Sequence, residues 1–406
     1  MRRLPGGAVT ALGITQLIGW GTSFYLPAVF AHRIAEDTGW SLTLVFAAFS
    51  WNLIVAGAMS RRIGEMIDRL GAPRVMTIGS ALMAMGLLML STATTTVQLF
   101  AAWTILGVAS RAALYDAAFA ALAAIFGQGA RRAISLLTLW GGLASTVFWP
   151  LGHFLVEAID WRWSTAVYAL LNLAVCLPLH RRFAAMHEAS PAAAAAPAPA
   201  TAPSPASAAS ANPRFAGAAR DRALLVFSSI LASYSFVFSS LSAHLIVVFE
   251  GLGLAAATAV SIAALKGVAQ VAARFLELLG QRWMSPLAVG VVALALLAAG
   301  LLMMRFGPSA TLPIAIACLV YGAANGLVTI VRGSVPLALF GTAGYAGTLG
   351  RLAAPSLVSS ALAPLAFAWL IERWGVHAGL TLLTLIAIAA CAGMLWLARP
   401  SPRPIS

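Results

Sequence analysis

The feature that most constrains this 406-residue chain is a succession of apolar stretches, each long enough to cross a lipid bilayer. Apolar residues make up 61% of the sequence and charged residues only 9%, whereas a soluble domain carries about 25% charged residues. The mean hydropathy is +0.91, and a spanning helix needs about 20 mostly apolar residues. The pattern therefore predicts an all-α integral membrane protein.

The apolar stretches predict 12 transmembrane helices in two sets of six. The first set is placed at residues 9–31, 42–62, 75–94, 98–125, 133–156 and 163–181. The second set is placed at residues 222–248, 256–279, 285–305, 312–339, 345–371 and 377–398.

The segment between the two sets is rich in alanine, proline and serine and has no hydrophobic periodicity. Such a composition is typical of a flexible, solvated linker. We therefore predict an N-terminal six-helix bundle at residues 1–182, a cytoplasmic linker at 183–220 and a C-terminal six-helix bundle at 221–406.

The distribution of basic residues predicts the orientation in the membrane. A net charge of +13 would suggest nucleic-acid binding in a soluble protein, but in a membrane protein it reflects arginines retained on the cytoplasmic side. Of the 25 basic residues, 17 fall at loops and span ends on the side of the termini. Four fall on the other side, namely Arg33, Arg162, Arg305 and Arg373. We expect a multi-pass protein of the cell (inner) membrane with both termini cytoplasmic and no nucleic-acid partner.

A short charged stretch connects the second and third predicted spans. It reads Gly64-Glu65-Met66-Ile67-Asp68-Arg69-Leu70-Gly71-Ala72-Pro73-Arg74. Gly64 and Gly71 are expected to let the backbone turn closely, while Asp68 and Arg69 can pair with neighbouring charges or helix ends.

The spacing G-x-x-x-D-R-x-G-x-x-R, at this place among the spans, resembles the signature loop between helices 2 and 3 of the major facilitator superfamily. The resemblance implies two pseudo-symmetric six-helix bundles and a secondary transporter that works by alternating access. It also implies that the loop residues control the change of conformation, and these are Gly64, Asp68, Arg69, Gly71 and Arg74.

The eighth predicted span carries the most informative polar residues. Lys266, Gln270 and Arg274 are spaced four residues apart and form one stripe along the helix. Ionisable side chains inside a membrane are costly, so each is a candidate site residue. The alternative for Arg274 is a structural ion pair with Glu277, three residues further on.

The same span resembles the monocarboxylate porters within the superfamily. Gly267-x-x-Gln270-Val271-x-x-Arg274 is similar to their G-x-x-D-I-x-x-R-P pattern, which implies that Arg274 binds the substrate carboxylate. Gln270 stands where that family has its acid, and Phe275 replaces the proline.

Two further patches resemble the same branch. They are Gly-Thr-Ser-Phe-Tyr-Leu-Pro at residues 21–27, followed by Ala28 where the family has lysine, and the Phe126–Arg132 stretch with Gly141-Gly142.

Other polar residues within spans are further candidates. Asn325, Thr329 and Arg332 form a stripe in the tenth span, and Tyr234 lies in the seventh. Asp116 is the only acid placed deep in a span. A desolvated carboxylate of this kind can bind and release a proton, so Asp116 is the candidate for proton coupling.

The alternative for Asp116 is a static ion pair with an arginine of another helix. Arg111 is five residues away, roughly 140° around a continuous helix, and is not expected to be its partner.

Together these features predict a secondary transporter that moves a small organic anion, similar to a monocarboxylate, with proton coupling. The alternative is a proton-driven efflux pump for drugs or other toxic compounds. No nucleophile constellation or metal-spaced cluster is present in the sequence, and Cys176, Cys318 and Cys391 lie far apart. We therefore expect no enzyme activity, cofactor or metal. The expected partners are the lipid bilayer, the solute and protons, with the monomer as the functional unit.

Overall fold

A computed structural model of the chain describes residues 6–188, 217–307 and 310–399, and no β-strand occurs in these ranges. The first nine helices are α1 (Gly6–Thr22), α2 (Leu26–Thr38), α3 (Leu42–Leu70), α4 (Ala72–Ser91), α5 (Thr96–Ala113), α6 (Tyr115–Phe126), α7 (Ala130–Gly142), α8 (Ala144–Leu171) and α9 (Leu177–Glu188). The other five are α10 (Ala218–Gly251), α11 (Ala256–Gly280), α12 (Pro286–Phe306), α13 (Thr311–Phe340) and α14 (Tyr345–Ala398).

Within the described residues, nine helical stretches are long and apolar enough to cross a membrane. Two of them, Ala130–Ala184 and Tyr345–Ala398, contain 55 and 54 residues. At 1.5 Å per residue an uninterrupted helix of this length would measure about 80 Å, more than twice the hydrocarbon thickness of about 30 Å. Each therefore contains two spans. The prediction of an all-α multi-pass membrane protein is confirmed.

Both long stretches are interrupted by a residue with positive φ. Asp160 has φ 67° and ψ 170°, and Gly375 has φ 80° and ψ 168°. Positive φ combined with ψ near 170° is essentially restricted to glycine, so this conformation suits Gly375 and strains the backbone at Asp160. The Asp160 carboxylate also accepts hydrogen bonds from the backbone N–H groups of Arg162 (2.7 Å) and Trp163 (3.0 Å), which caps the helical segment that follows.

The first predicted span, residues 9–31, is also interrupted. α1 ends at Thr22 and α2 begins at Leu26, with Pro27 in its first turn. Proline is well placed in a first turn because its missing N–H would have no helical partner there. The Gly-Thr-Ser-Phe-Tyr-Leu-Pro patch of the sequence is thus the site of a helix break.

The chain divides into two compact units. The first contains the described residues up to Glu188 together with Thr342–Ala354, and the second contains the described residues from Gly217 to Gly341 and from Pro355 onwards. Residues 189–216 of the predicted linker lie outside the described residues, whereas α9 continues to Glu188 and α10 already begins at Ala218. The bundle limits at residues 182 and 221 stay a prediction.

Each unit has its own core of large apolar side chains. In the first unit Trp103, Phe30, Phe119 and Tyr168 are almost fully buried. In the second unit the same holds for Tyr321, Phe227, Phe249 and Phe367. Lipid is as apolar as these side chains, so it is close packing, more than exclusion of water, that holds such helices together in a membrane.

Candidate functional site

The charged stretch at residues 64–74 is mostly helix. α3 continues to Leu70 and α4 begins at Ala72, so that Gly71 alone connects them, with φ 83°. The expectation that Gly64 lets the backbone turn is therefore wrong. Gly64 is helical, and a Cβ atom there would overlap the backbone carbonyl of Ala346, so glycine is needed at this position for close packing.

Asp68 binds the first turn of α14, within the first unit. Its Oδ1 accepts a hydrogen bond from the Ala346 N–H at 3.1 Å and its Oδ2 one from the Gly347 N–H at 2.6 Å. The first N–H groups of a helix have no partner inside it, and a negative charge at this end is favourable. Asp68 thus caps the N-terminus of a helix far away in sequence.

The other charges of this stretch lie at its surface. Arg69 and Arg74 are exposed on either side of Gly71. Glu65 accepts a hydrogen bond from Arg61 at 2.9 Å, in an exposed ion pair one turn apart on α3. Of the acids on α3, it is therefore Asp68 that makes the long-range contact.

The predicted helix at residues 98–125 is broken at Leu114. α5 ends at Ala113, Leu114 has an extended backbone (φ −87°, ψ −160°), and α6 begins at Tyr115. Arg111 and Asp116 form an ion pair across this break, and they are only 8% and 5% exposed. The expectation that Arg111 is not the partner of Asp116 is wrong because it assumed one continuous helix.

Gln16 of α1 stabilises the helix break at Leu114. Its side-chain amide donates to the Ala113 carbonyl at 2.9 Å, and a carbonyl at a helix end needs such a partner when it is buried. The rings of Trp20 and Tyr115 lie 4.9 Å apart beside it. Sequence analysis missed Gln16, although an amide in the middle of a predicted span was a usable signal.

A second buried polar cluster in the first unit was also missed. The His180 ring lies 2.8 Å from the Ser80 hydroxyl through Nδ1 and 2.9 Å from the Thr15 hydroxyl through Nε2. The three residues come from α9, α4 and α1, and all are buried. Each residue alone looks unremarkable in the sequence, so only the fold brings them together.

In the second unit, two glycines set the approach of α13 to α11. A Cβ atom at Gly322 would lie 2.6 Å from the Lys266 carbonyl oxygen, and one at Gly326 would lie 3.0 Å from the Gln270 Cα. Small residues four apart let membrane helices pack backbone to backbone. The predicted polar stripe of α11 therefore lies directly beside α13.

Arg274 is held by that contact. It is 6% exposed, its Nη2 donates to the Thr329 hydroxyl at 3.1 Å, and its Nε donates to the Gly326 carbonyl at 3.4 Å. Glu277 is also buried, at 7% exposure, and accepts a hydrogen bond from Gln281 at 3.1 Å. The guanidinium thus braces α11 against α13.

Lys266 has a different environment. Its ammonium donates to the Ser242 hydroxyl at 3.1 Å and lies 5.1 Å from the ring centre of Phe238 and 5.8 Å from that of Tyr321. The aromatic faces attract a cation. The side chain is half-buried.

The remaining candidates of the second unit fall on the same helices. The Tyr234 hydroxyl of α10 donates to the Asn325 side-chain oxygen at 3.0 Å, and Asn325 in turn donates to the Tyr321 carbonyl at 2.7 Å. Gln270 is half-buried on α11 between Lys266 and Arg274. All six substrate-binding candidates therefore lie on α10, α11 and α13, with Arg332 half-buried further along α13.

No group of three or more histidine, cysteine, aspartate or glutamate side chains in the described ranges could hold a metal ion. The polar residues of both units instead offer hydrogen bonds and charge. Helices long enough to cross the membrane that enclose ionisable side chains are typical of multi-pass membrane proteins that move ions or solutes.

The chain belongs to the major facilitator superfamily, because the model of the Major Facilitator Superfamily matches residues 11–349. Members of this superfamily are transporters, not enzymes. None of the curated proteins compared with the chain matches it in sequence.

Solved structures share the fold at low sequence identity. The human organic anion transporter MFSD10 (TETRAN) is 16% identical with a TM-score of 0.69, over 97% of this chain and 100% of that one. The fucose:proton symporter FucP of E. coli is 13% identical with a TM-score of 0.70, over 97% and 98%. The proton:xylose symporter XylE is 13% identical with a TM-score of 0.68, over 97% and 95%.

Proposed function

We propose that this transporter carries small organic anions across the cell (inner) membrane together with protons. The observation that carries the proposal is the charge of two adjacent helices. α11 and α13 together contain three cations, Lys266, Arg274 and Arg332, but only one acid, Glu277. An excess of positive charge within spans is expensive unless an anion neutralises it, and the solute is the anion we assign to this role.

The comparisons support the class of the protein more strongly than its solute. One similar structure is that of an organic anion transporter, and two are those of proton symporters of sugars. At identities of 12–16% the likeness concerns the fold. The choice of an anion, and of a solute similar to those of the monocarboxylate porters, therefore depends on the side chains of α11 and α13.

Proton coupling is assigned to Asp116. Its ion pair with Arg111 is buried at a helix break, and a broken helix at membrane depth is a common place for a coupling site. Protonation of Asp116 would leave Arg111 without its counter-charge, so that binding a proton and separating the pair would be one event. A conformational change that separates the two side chains would thereby be linked to protons.

The control of the access state is assigned to Asp68. Its two hydrogen bonds to the first turn of α14 stabilise the state in which this contact exists. In the proposed cycle the contact breaks when the solute site opens to the other side of the membrane. The protein is proposed to act as a monomer with both termini in the cytoplasm.

A binding assay on the purified protein tests the solute class. Isothermal titration with L-lactate, benzoate, succinate and chloride should show saturable binding of at least one carboxylate. Binding of hydrophobic cationic drugs, with no response to any of the four anions, would contradict the proposal and favour an efflux pump.

A further inference from the structure

The ammonium of Lys266 is a cation within a span that lacks an acidic partner. Its contacts are the Ser242 hydroxyl and the rings of Phe238 and Tyr321. In the described part of the chain, no carboxylate forms an ion pair with it. A lysine ammonium has three N–H donors, and one of them is directed at Ser242, which leaves two for a ligand.

Arg274 differs from Lys266 in how its side chain is held. Its guanidinium is buried, and it donates to Thr329 and to the Gly326 carbonyl of the neighbouring helix. At 6% exposure, a solute could reach it only if the groups packed around it moved, including those that hold α11 on α13. A buried donor that loses its partner carries a full desolvation penalty, so this is unfavourable.

On these grounds we infer that Lys266, and not Arg274, binds the carboxylate of the solute, and that the site takes monoanions. This inference rests on the proposed function. Arg274 then acts as a positioning residue that fixes α11 and hence the place of the Lys266 side chain.

The preference for a single charge follows from distance. Lys266 and Arg274 are eight residues apart on one helix, which is about 12 Å along the axis. The residue between them, Gln270, is uncharged and half-buried. A small dicarboxylate could therefore place one carboxylate on Lys266, but its second would meet no free cation in that stripe and would lose its hydration.

The rings beside Lys266 complete the site. Tyr234 and Phe238 stack at 5.8 Å on α10, and both are half-buried, so they present an apolar surface next to the ammonium. The faces of Phe238 and Tyr321 partly compensate the charge of the ammonium. When a monocarboxylate binds, its charged group faces the ammonium and its apolar body contacts Phe238.

The Tyr321 hydroxyl is a further polar group at the site. It is buried within reach of Asn325 and Ser242, but in the described residues neither is aligned with it for a hydrogen bond. A buried hydroxyl without a hydrogen bond is unusual in a folded protein. It is therefore a second donor available when Ser242 or the solute moves towards it.

The test is isothermal titration of the full-length protein in detergent with L-lactate, benzoate and succinate. Lys266→Gln should weaken binding of the monocarboxylates about ten- to a hundredfold, which is the usual size of a charge-assisted hydrogen bond. Lys266→Arg should retain most of the affinity. Arg274→Lys should lower the melting temperature and change the affinity less than Lys266→Gln does.

Arg305→Gln is the matched control because it removes another cation of the second unit. Arg305 lies at the end of α12 and donates a hydrogen bond to the Thr381 hydroxyl. This variant should leave the affinity unchanged. If the wild-type protein binds monocarboxylates and Lys266→Gln binds them equally well, the inference is wrong while the proposed function stands. Tighter binding of succinate than of lactate and benzoate would overturn the preference for monoanions. A wild-type protein that binds no carboxylate would overturn both.

Discussion

At the scale of single residues, Arg111 and Asp116 show how one backbone torsion decides the partner of a buried charge. On a continuous helix the two side chains would point in different directions. The extended conformation of Leu114 brings them together. Removing one partner of such an ion pair destabilises the protein strongly, because the other charge stays buried without its counter-charge.

This coupling predicts a clear pattern in a double-mutant cycle. Arg111→Gln alone should destabilise the protein by about 3–5 kcal/mol, as expected for an orphaned buried charge. Arg111→Gln combined with Asp116→Asn should recover most of that loss because both sites are then neutral. The measurement is thermal unfolding in detergent. If the double variant loses as much stability as Arg111→Gln and Asp116→Asn lose together when measured singly, the two side chains do not act as a pair.

At the scale of secondary-structure elements, glycines decide how closely the helices approach. Gly322 and Gly326 allow α13 to contact the backbone of α11 next to Lys266 and Gln270. The same approach places Thr329 and the Gly326 carbonyl within reach of Arg274. The polar stripe of α11 can thus lie against α13 because Gly322 and Gly326 have no side chains.

Substitution of these glycines tests the contact. Gly322→Ala should lower stability by about 1–3 kcal/mol, because its Cβ would lie 2.6 Å from the Lys266 carbonyl oxygen. Gly267→Ala is a matched control on α11, since a Cβ there meets nothing within 4 Å. The control should be neutral or slightly stabilising, as alanine favours helix. Equal melting temperatures for the two variants would show that the helices are not in close contact.

The sequence predicts the helices whose positions depend on local composition and helical period, but not a break that depends on contacts with distant residues. The apolar stretches reveal the spans because a bilayer demands about 20 apolar residues. The spacing of Lys266, Gln270 and Arg274 reveals their common face because the helical period is fixed. The break at Leu114 is different, because no proline or glycine marks it and its ends are satisfied by distant groups such as Gln16.

The helix turn at Asp160 gives a further prediction at this scale. Asp160→Ala should destabilise the protein by about 1–2 kcal/mol, because it removes the cap and keeps a positive φ that alanine disfavours. Asp160→Gly should be milder, since glycine accepts this φ, as Gly375 does at the corresponding break of α14. Thermal unfolding of the two variants decides, and a glycine variant less stable than the alanine variant would show that the positive φ does not determine the cost.

At the scale of the whole molecule, the proposed transport cycle depends on orientation in the membrane and on a change between two access states. The arginine distribution predicts that the termini and the segment around Ala195 are cytoplasmic. Asp68, near the end of α3, accepts hydrogen bonds from the first turn of α14 and so connects the charged stretch at residues 64–74 to that helix. Neither feature depends on the identity of the solute.

Orientation is tested by cysteine labelling in a variant that lacks Cys176, Cys318 and Cys391. Cysteines at Ala195 and Glu250 should react with a membrane-impermeant reagent from opposite sides, Glu250 from outside intact cells and Ala195 after permeabilisation. Labelling of both from the same side would contradict the two-bundle topology.

The role of Asp68 is tested by neutralising it. Asp68→Asn should slow transport about tenfold, the usual effect of one weakened charge-assisted hydrogen bond, at unchanged abundance in the membrane. Glu65→Gln is the control because it neutralises an acid one turn earlier whose hydrogen-bonded ion pair is with Arg61 on the same helix. If both variants transport at the wild-type rate, the contact with Ala346 and Gly347 does not control access.

The most direct test of the central claim is solute uptake by the purified protein in proteoliposomes. Radiolabelled L-lactate or benzoate should enter in a saturable manner when the external medium is more acidic than the lumen, and a protonophore should abolish accumulation. Lys266→Gln should reduce the uptake, whereas Arg305→Gln should not. A folded protein that moves neither these monocarboxylates nor succinate under any proton gradient would contradict the assignment of an organic anion transporter.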